Sequence, residues 1–135
     1  LVLNLAGPTP RKRVLVVEDD PAQRDAVCAL LELEGFDWAA AGNGREALDL
    51  LHAEAPPDLV LLDLSMPVMG GWEFRVAQLA DGGLKGIPVV VLSADRPSEL
   101  EQSLRPDGFI RKPIDCGLLI DAVRRFCGSP TLPEA

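Results

Sequence analysis

Apolar residues follow two alternating rhythms along this chain. Three short runs, "RVLVVE", "DLVLLD" and "IPVVVLS", are almost uninterrupted and rich in branched side chains, as expected of strands buried on both faces. Between them apolar residues recur three or four apart, the spacing of one helix face. Asp20-Pro21 opens the first helix, with Asp20 as N-cap and Pro21 in the first turn. Ala26, Val27, Leu30, Leu31 and Leu33 form its stripe, and Gly35 ends it. "FDWAAA" is a weaker second strand. Asn43 caps the next helix, and Glu46 three residues on completes a capping box. Ala47, Leu48, Leu50 and Leu51 follow, and Pro56-Pro57 break the helix.

After the third strand, Gly70-Gly71 lead into a helix with Trp72, Phe74, Val76 and Leu79 available for packing. Trp38 and Trp72 both read as packing residues. "SELEQSL" predicts a short fourth helix and "GFIRK" a short fifth strand. Asp115 caps a last helix carrying Leu118, Leu119, Ala122, Val123 and Phe126. Five βα repeats with doubly buried strands predict an α/β fold: a (βα)5 doubly wound, parallel five-stranded sheet, flavodoxin-like, with strand order 2-1-3-4-5. Sites in such sheets lie at the carboxyl ends of the strands, near the switch point between strands 1 and 3. Residues 13–127 form the predicted domain, flanked by a tail or linker over 1–12 and a second tail over 128–135.

At 135 residues the chain fits one domain. A net charge of −8 and a pI near 4.5 argue against nucleic-acid binding by this domain and leave divalent cations and cationic partners open. No apolar run reaches membrane-spanning length, so no membrane contact is expected. Cys28, Cys116 and Cys127 are odd in number without CxxC spacing, which reads as buried or free thiols in a reducing cytoplasm rather than as a disulfide or zinc site. His52, the single histidine, has no neighbouring ligand set in sequence and reads as a surface or core-edge residue.

The strand ends carry the chemistry. Strand 1 ends in Glu18-Asp19-Asp20, strand 3 in Asp63, strand 4 in Ser93-Ala94 and strand 5 in Lys112-Pro113. Acids this close repel, and one must protonate unless a cation intervenes. Hard oxygens without imidazole or thiolate suit Mg²⁺, with Mn²⁺ able to substitute. Mg²⁺ keeps positions open for water or phosphate oxygens, so the set points to a phosphoryl group and a carboxylate nucleophile, with Lys112 and Ser93 beside it.

The segments "RVLVVEDD", "DLVLLDLSMPVMGG", "VVVLSA" and "GFIRKP", in this order and spacing, resemble the receiver domain of bacterial two-component response regulators over residues 13 to 127. The resemblance implies that Asp63 accepts a phosphoryl group from a phosphohistidine on a histidine kinase or histidine phosphotransfer protein. It implies that Asp19 binds Mg²⁺ directly, that Glu18 holds a metal-bound water, and that Asp63 and the Ser65 backbone carbonyl complete the protein ligands. Lys112 would pair with the phosphoryl oxygens. Ser93 would be the switch hydroxyl and Phe109 the aromatic that turns inward with it. Pro113 matches a cis proline that aims the lysine, and Ala94 leaves the pocket open. Such a domain is a signalling switch in the cytoplasm; the only chemistry it catalyses is its own phosphorylation and dephosphorylation.

Blander readings stand beside these. Asp63 could end a strand without chemistry, Asp20 is the helix cap, Ser93 could cap the next helix, Phe109 could be core, and Lys112 could be a solvated surface residue. A haloacid dehalogenase-type phosphohydrolase would want an acid two residues after Asp63, where Ser65 stands. A flavodoxin-like nucleotide module would want a Ser/Thr/Gly loop where "EDDP" stands. A receiver-like module that works without phosphorylation would have lost an acid or the lysine. The interval from Ser93 to Lys112 is shorter than the family's, and "LRPDG" replaces its Gly-Ala turn, so helix 4 should be clipped between Pro97 and Pro106. No output motif follows, so a partner or a linked kinase or output domain must read the switch. "LVLNLAG" is equally readable as the exit strand of a preceding domain, as in a hybrid sensor kinase, or as a leader.

Overall fold

The strands are β1 (Arg13–Val17), β2 (Asp37–Ala41), β3 (Leu59–Asp63), β4 (Val89–Ser93) and β5 (Gly108–Arg111). The helices are α1 (Pro21–Leu33), α2 (Gly44–Ala53), α3 (Gly71–Ala80), α4 (Glu99–Gln102) and α5 (Cys116–Cys127). The computed structural model describes residues 12–64, 70–94, 96 and 99–128. Ser65, Met66, Pro67, Asp95, Pro97 and both tails but for Lys12 and Gly128 lie outside them. All four pairings are parallel and the order is β2-β1-β3-β4-β5, as the βα repeats predict.

Alternate strand residues feed two cores. Val14, Val16, Leu59, Leu61, Val90 and Leu92 pack with Val27 and Leu31 of α1 and Leu119 and Val123 of α5. Leu15, Val17, Val60, Leu62, Val89 and Val91 pack with Ala47 and Leu51 of α2 and Phe74 of α3. Thus β1, β3 and β4 are apolar at nearly every position because each position meets a helix.

The caps stand where the sequence puts them, with one change. Asp20 Oδ1 accepts from Ala22 N (2.9 Å), Asn43 Oδ1 from Glu46 N (2.9 Å) and Asp115 Oδ1 from Leu118 N (3.0 Å). Glu46, however, reaches back to Gly42 N (2.8 Å) rather than to the Asn43 amide of a capping box. At α3 the N-cap is glycine, and Glu73 accepts from Gly70 N (3.0 Å).

Several apolar stripes are narrower than their periodicity suggests. Leu33 and Leu118, both expected to pack, are 83% and 60% exposed. Trp38 lies on the edge strand β2, is exposed, and donates to Glu32 Oε1 (3.1 Å) instead of filling a core. The largest departure is in α3. Trp72 is partly buried and Phe74 fully, but Val76 and Leu79 face outward, and Arg75 and Gln78 take the buried positions instead. Helix α4 is a single turn, as the clipped interval implied.

Candidate functional site

The carboxyl ends of β1, β3, β4 and β5 meet in a cleft of about 310 Å³ lined by Glu18, Asp19, Asp20, Gln23, Asp63, Ser93, Ala94 and Lys112. The register makes this convergence. Val17 pairs with Leu62, so Glu18 and Asp63 end their strands level. Asp63 pairs with Leu92 and Ser93 with Arg111, so the next residues outward are Ser93 and Lys112. Lys112 N donates to Ser93 O (2.9 Å), which carries the ladder one residue past β5.

Asp63 closes an entirely buried strand and is only 3% exposed. It lines the cleft while giving almost no surface to solvent. Gly71 shows why glycine follows the Asp63 loop. A Cβ at this position would lie 2.5 Å from Asp63 O and 2.8 Å from Leu64 Cα, so only glycine lets α3 start against the end of β3. A solvent-facing glycine such as Gly82 meets nothing within 4 Å.

Glu18, Asp19 and Asp63 each offer a carboxylate oxygen, and these oxygens lie within 4.8 Å of one another. Lys112 Nζ reaches Asp63 Oδ1 at 3.2 Å and Glu18 Oε1 at 3.3 Å. Burial, and next the hydrogen bond and charge of Asp63, push Glu18 up to about 7. The crowding the sequence implied is therefore real, and Glu18 is where it shows. Burial alone would lower the Lys112 ammonium, but the Asp63 and Glu18 carboxylates outweigh it and raise the pKa. One lysine pairs with two of three clustered carboxylates, a hard-oxygen set that fits a small divalent cation.

Asp20 lies at the rim as the α1 cap, holding Ala22 N and Gln23 Nε2 (3.0 Å), and these hydrogen bonds lower its pKa. Gln23 also lines the cleft and was not singled out from sequence, although a polar residue one turn into a helix that starts at the site was the available signal. Ser93 is half-buried on the cleft wall. Phe109 is 38% exposed on β5, so the reading of it as a core residue does not hold. The Lys112–Pro113 peptide is cis. His52 is exposed and pairs with Asp81 (3.0 Å), away from the cleft. Cys28 and Cys127 are buried, Cys116 is exposed, and all three thiols are free. No helix among the described residues is long and apolar enough to cross a membrane.

Residues 14–124 match the family model of the response regulator receiver domain. The DNA-binding response regulator MtrA of Mycolicibacterium smegmatis is 38% identical over 119 residues, 86% of this chain but 50% of MtrA. This chain therefore spans half of MtrA's length. The receiver domain of a signal transduction histidine kinase from Syntrophus aciditrophicus superposes with a TM-score of 0.78 at 31% identity, covering 92% of this chain and 96% of that one. The response regulator TrrA of Thermotoga maritima, solved with Mg²⁺ and BeF, gives a TM-score of 0.76 at 30% identity, covering 85% and 98%. Receiver domains are signalling switches of two-component systems that bind Mg²⁺ at an acidic pocket, and the cleft described above has that acidic character. With its strand order, its cleft and a family match over most of its length, this chain belongs to the response regulator receiver domain family.

Proposed function

We propose that this chain is a phosphoacceptor whose Asp63 takes a phosphoryl group from a phosphohistidine on a histidine kinase or histidine phosphotransfer protein. The observation that carries this reading is Lys112 Nζ, 3.2 Å from Asp63 Oδ1, in a cluster that also holds the buried Glu18 and the half-buried Asp19. A carboxylate oxygen of Asp63 attacks phosphorus, the N–P bond breaks, and the imidazole leaves with its electron pair and takes up a proton. Lys112 keeps its proton throughout, because its pKa is raised, and offers its N–H groups to the phosphoryl oxygens. Asp19, Glu18, Asp63 and the Ser65 carbonyl would hold Mg²⁺, or Mn²⁺ in its place, and the ion would neutralise charge on the transferring group.

Ser93, on the cleft wall, is the hydroxyl that would close on the phosphoryl, and Phe109, now half outside, is the aromatic that would turn in. The product is an acyl phosphate whose population shifts a two-state surface, so the domain carries a signal and does not turn over a metabolite. The folded unit is taken as residues 13–127, in the cytoplasm. A second reading, supported by the likeness to a histidine kinase's receiver, makes this the receiver of a hybrid sensor kinase. The likeness to MtrA supports a linked DNA-binding output instead. The test is a small-molecule phosphodonor with Mg²⁺ or with a chelator, followed by intact mass. Gain of one phosphoryl group with Mg²⁺ alone supports the proposal; no gain under either condition contradicts it.

A further inference from the structure

Arg75 and Gln78, one turn apart on α3, are 4% and 0% exposed and play no part in the cleft. Arg75 Nε donates to Leu104 O (3.1 Å), Nη2 to Arg105 O (2.6 Å) and Nη1 to Gln78 Oε1 (2.9 Å). Gln78 Nε2 then donates to Leu84 O (3.0 Å) and Ile87 O (2.9 Å). Burial lowers the guanidinium's pKa and the nearby Asp107 charge partly offsets this, but arginine stays charged at any physiological pH. A buried cation whose three nitrogens all go to neutral oxygens is strongly directional. Its hydrogen bonds are charge-assisted, and losing it removes the donor from two partly buried turn carbonyls and from the buried Gln78 amide oxygen.

Leu104 and Arg105 form the turn between α4 and β5. Arg105 has φ +48°, the left-handed region that residues with a Cβ rarely adopt, so the turn needs outside support to keep this shape. Asp107 ties the same turn to β4: its N donates to Val89 O (2.8 Å) and its Oδ2 accepts from Val89 N (2.8 Å). The segment between β4 and β5 thus leaves the cleft wall at Ala94, next to Ser93 at the end of β4, and ends at a turn held by both α3 and β4.

We propose that Arg75 is a positioning residue that locks the α4–β5 turn to α3, so that a rearrangement begun at Ser93 by phosphorylation of Asp63 stops at residues 103–107. This rests on the phosphoacceptor reading. It makes α4, a single turn in this chain, an element pinned at its far end.

The amides of Ser103, Arg105 and Asp107 donate to Glu99 O (3.1 Å), Gln102 O (2.9 Å) and Val89 O (2.8 Å), so amide hydrogen exchange reads the turn directly. The measurement compares the full chain with Arg75→Met and Arg75→Lys, each with and without Mg²⁺ plus beryllium fluoride as the phosphoryl mimic. In the parent chain, residues 103–107 should be protected and indifferent to the mimic while the peptide carrying Ser93 and Ala94 responds. In Arg75→Met the three amides should exchange roughly tenfold faster or more without any mimic, and should become sensitive to it. Arg75→Lys keeps the charge without the planar fork and should fall between. If circular dichroism shows that Arg75→Met is unfolded, the lysine variant supplies the same comparison. Parent-like protection in a folded Arg75 variant overturns the lock, and a parent turn that responds as strongly as Ser93 overturns the confinement. If no peptide responds to the mimic, the phosphoacceptor reading fails and the confinement with it, while the comparison without mimic still decides whether Arg75 holds the turn.

Discussion

Lys112 Nζ sits 3.2 Å from Asp63 Oδ1, although their strands are not neighbours: β4 lies between β3 and β5. The lysine crosses the end of β4 to reach the acid and also reaches Glu18, which follows β1 on the far side of β3, so one ammonium serves two buried carboxylates. Lys112→Met should leave both without their cation. Stability should fall by about 1–3 kcal/mol in urea unfolding. Adding Asp63→Asn to Lys112→Met should return part of that loss, because one of the two stranded charges is gone. If the double variant is less stable than Lys112→Met, the two residues are not coupled in this way.

Glu18 should contribute to the pH dependence of the chain's stability without metal. Its folded-state pKa, raised to about 7 from an ordinary 4.5, means that the folded protein holds a proton the unfolded chain releases. The contribution is therefore fully present below about 4.5 and is lost as pH rises through 7. It amounts to up to about 3 kcal/mol at its largest. Mg²⁺ competes with that proton, so its stabilising effect should be larger at pH 8 than at pH 6. Thermal unfolding at the two pH values, with and without Mg²⁺, tests this, and Glu18→Gln should flatten both dependences.

Gly71→Ala should cost about 1–3 kcal/mol, because the new methyl meets the Asp63 carbonyl at 2.5 Å and backbone must move to admit it. Gly82→Ala, which meets nothing, should be within about 0.5 kcal/mol of the parent. Equal melting temperatures for the two variants would contradict the close approach of α3 to β3.

Thiol reagents should separate the cysteines. Cys116 is exposed at the start of α5, whereas burial raises Cys28 and Cys127 to about 11. One thiol should react rapidly at pH 8, and the other two only on unfolding. Rapid reaction of Cys28 or Cys127 in the native chain would contradict their burial.

What the sequence made legible, and what it hid, divides along physical lines. The strands and the acids at their ends could be read because each buried run stops at its polar residue, so position along the chain and place in the sheet coincide. Asp63, Asp19, Glu18, Ser93 and Lys112 converge on that basis alone. Helix α3 misleads because two stripes compete on it. Trp72, Val76 and Leu79 are spaced as a helix face, and so are Gly71, Phe74, Arg75 and Gln78. Hydrophobicity favours the first, and the structure buries the second. The carbonyls that satisfy Arg75 come from a turn about thirty residues away, and no local pattern announces them. Trp38 was misjudged for a related reason: apolar character predicts burial only when a neighbouring element covers the residue, and β2 is an edge.

The central claim is that Asp63 is the phosphoacceptor, and the most direct measurement is intact mass of the parent chain and Asp63→Asn after incubation with a phosphodonor and Mg²⁺. The account predicts one added phosphoryl group on the parent chain, lost on mild base treatment as an acyl phosphate is, and none on Asp63→Asn. An equal gain on Asp63→Asn, or no gain on the parent, would contradict it.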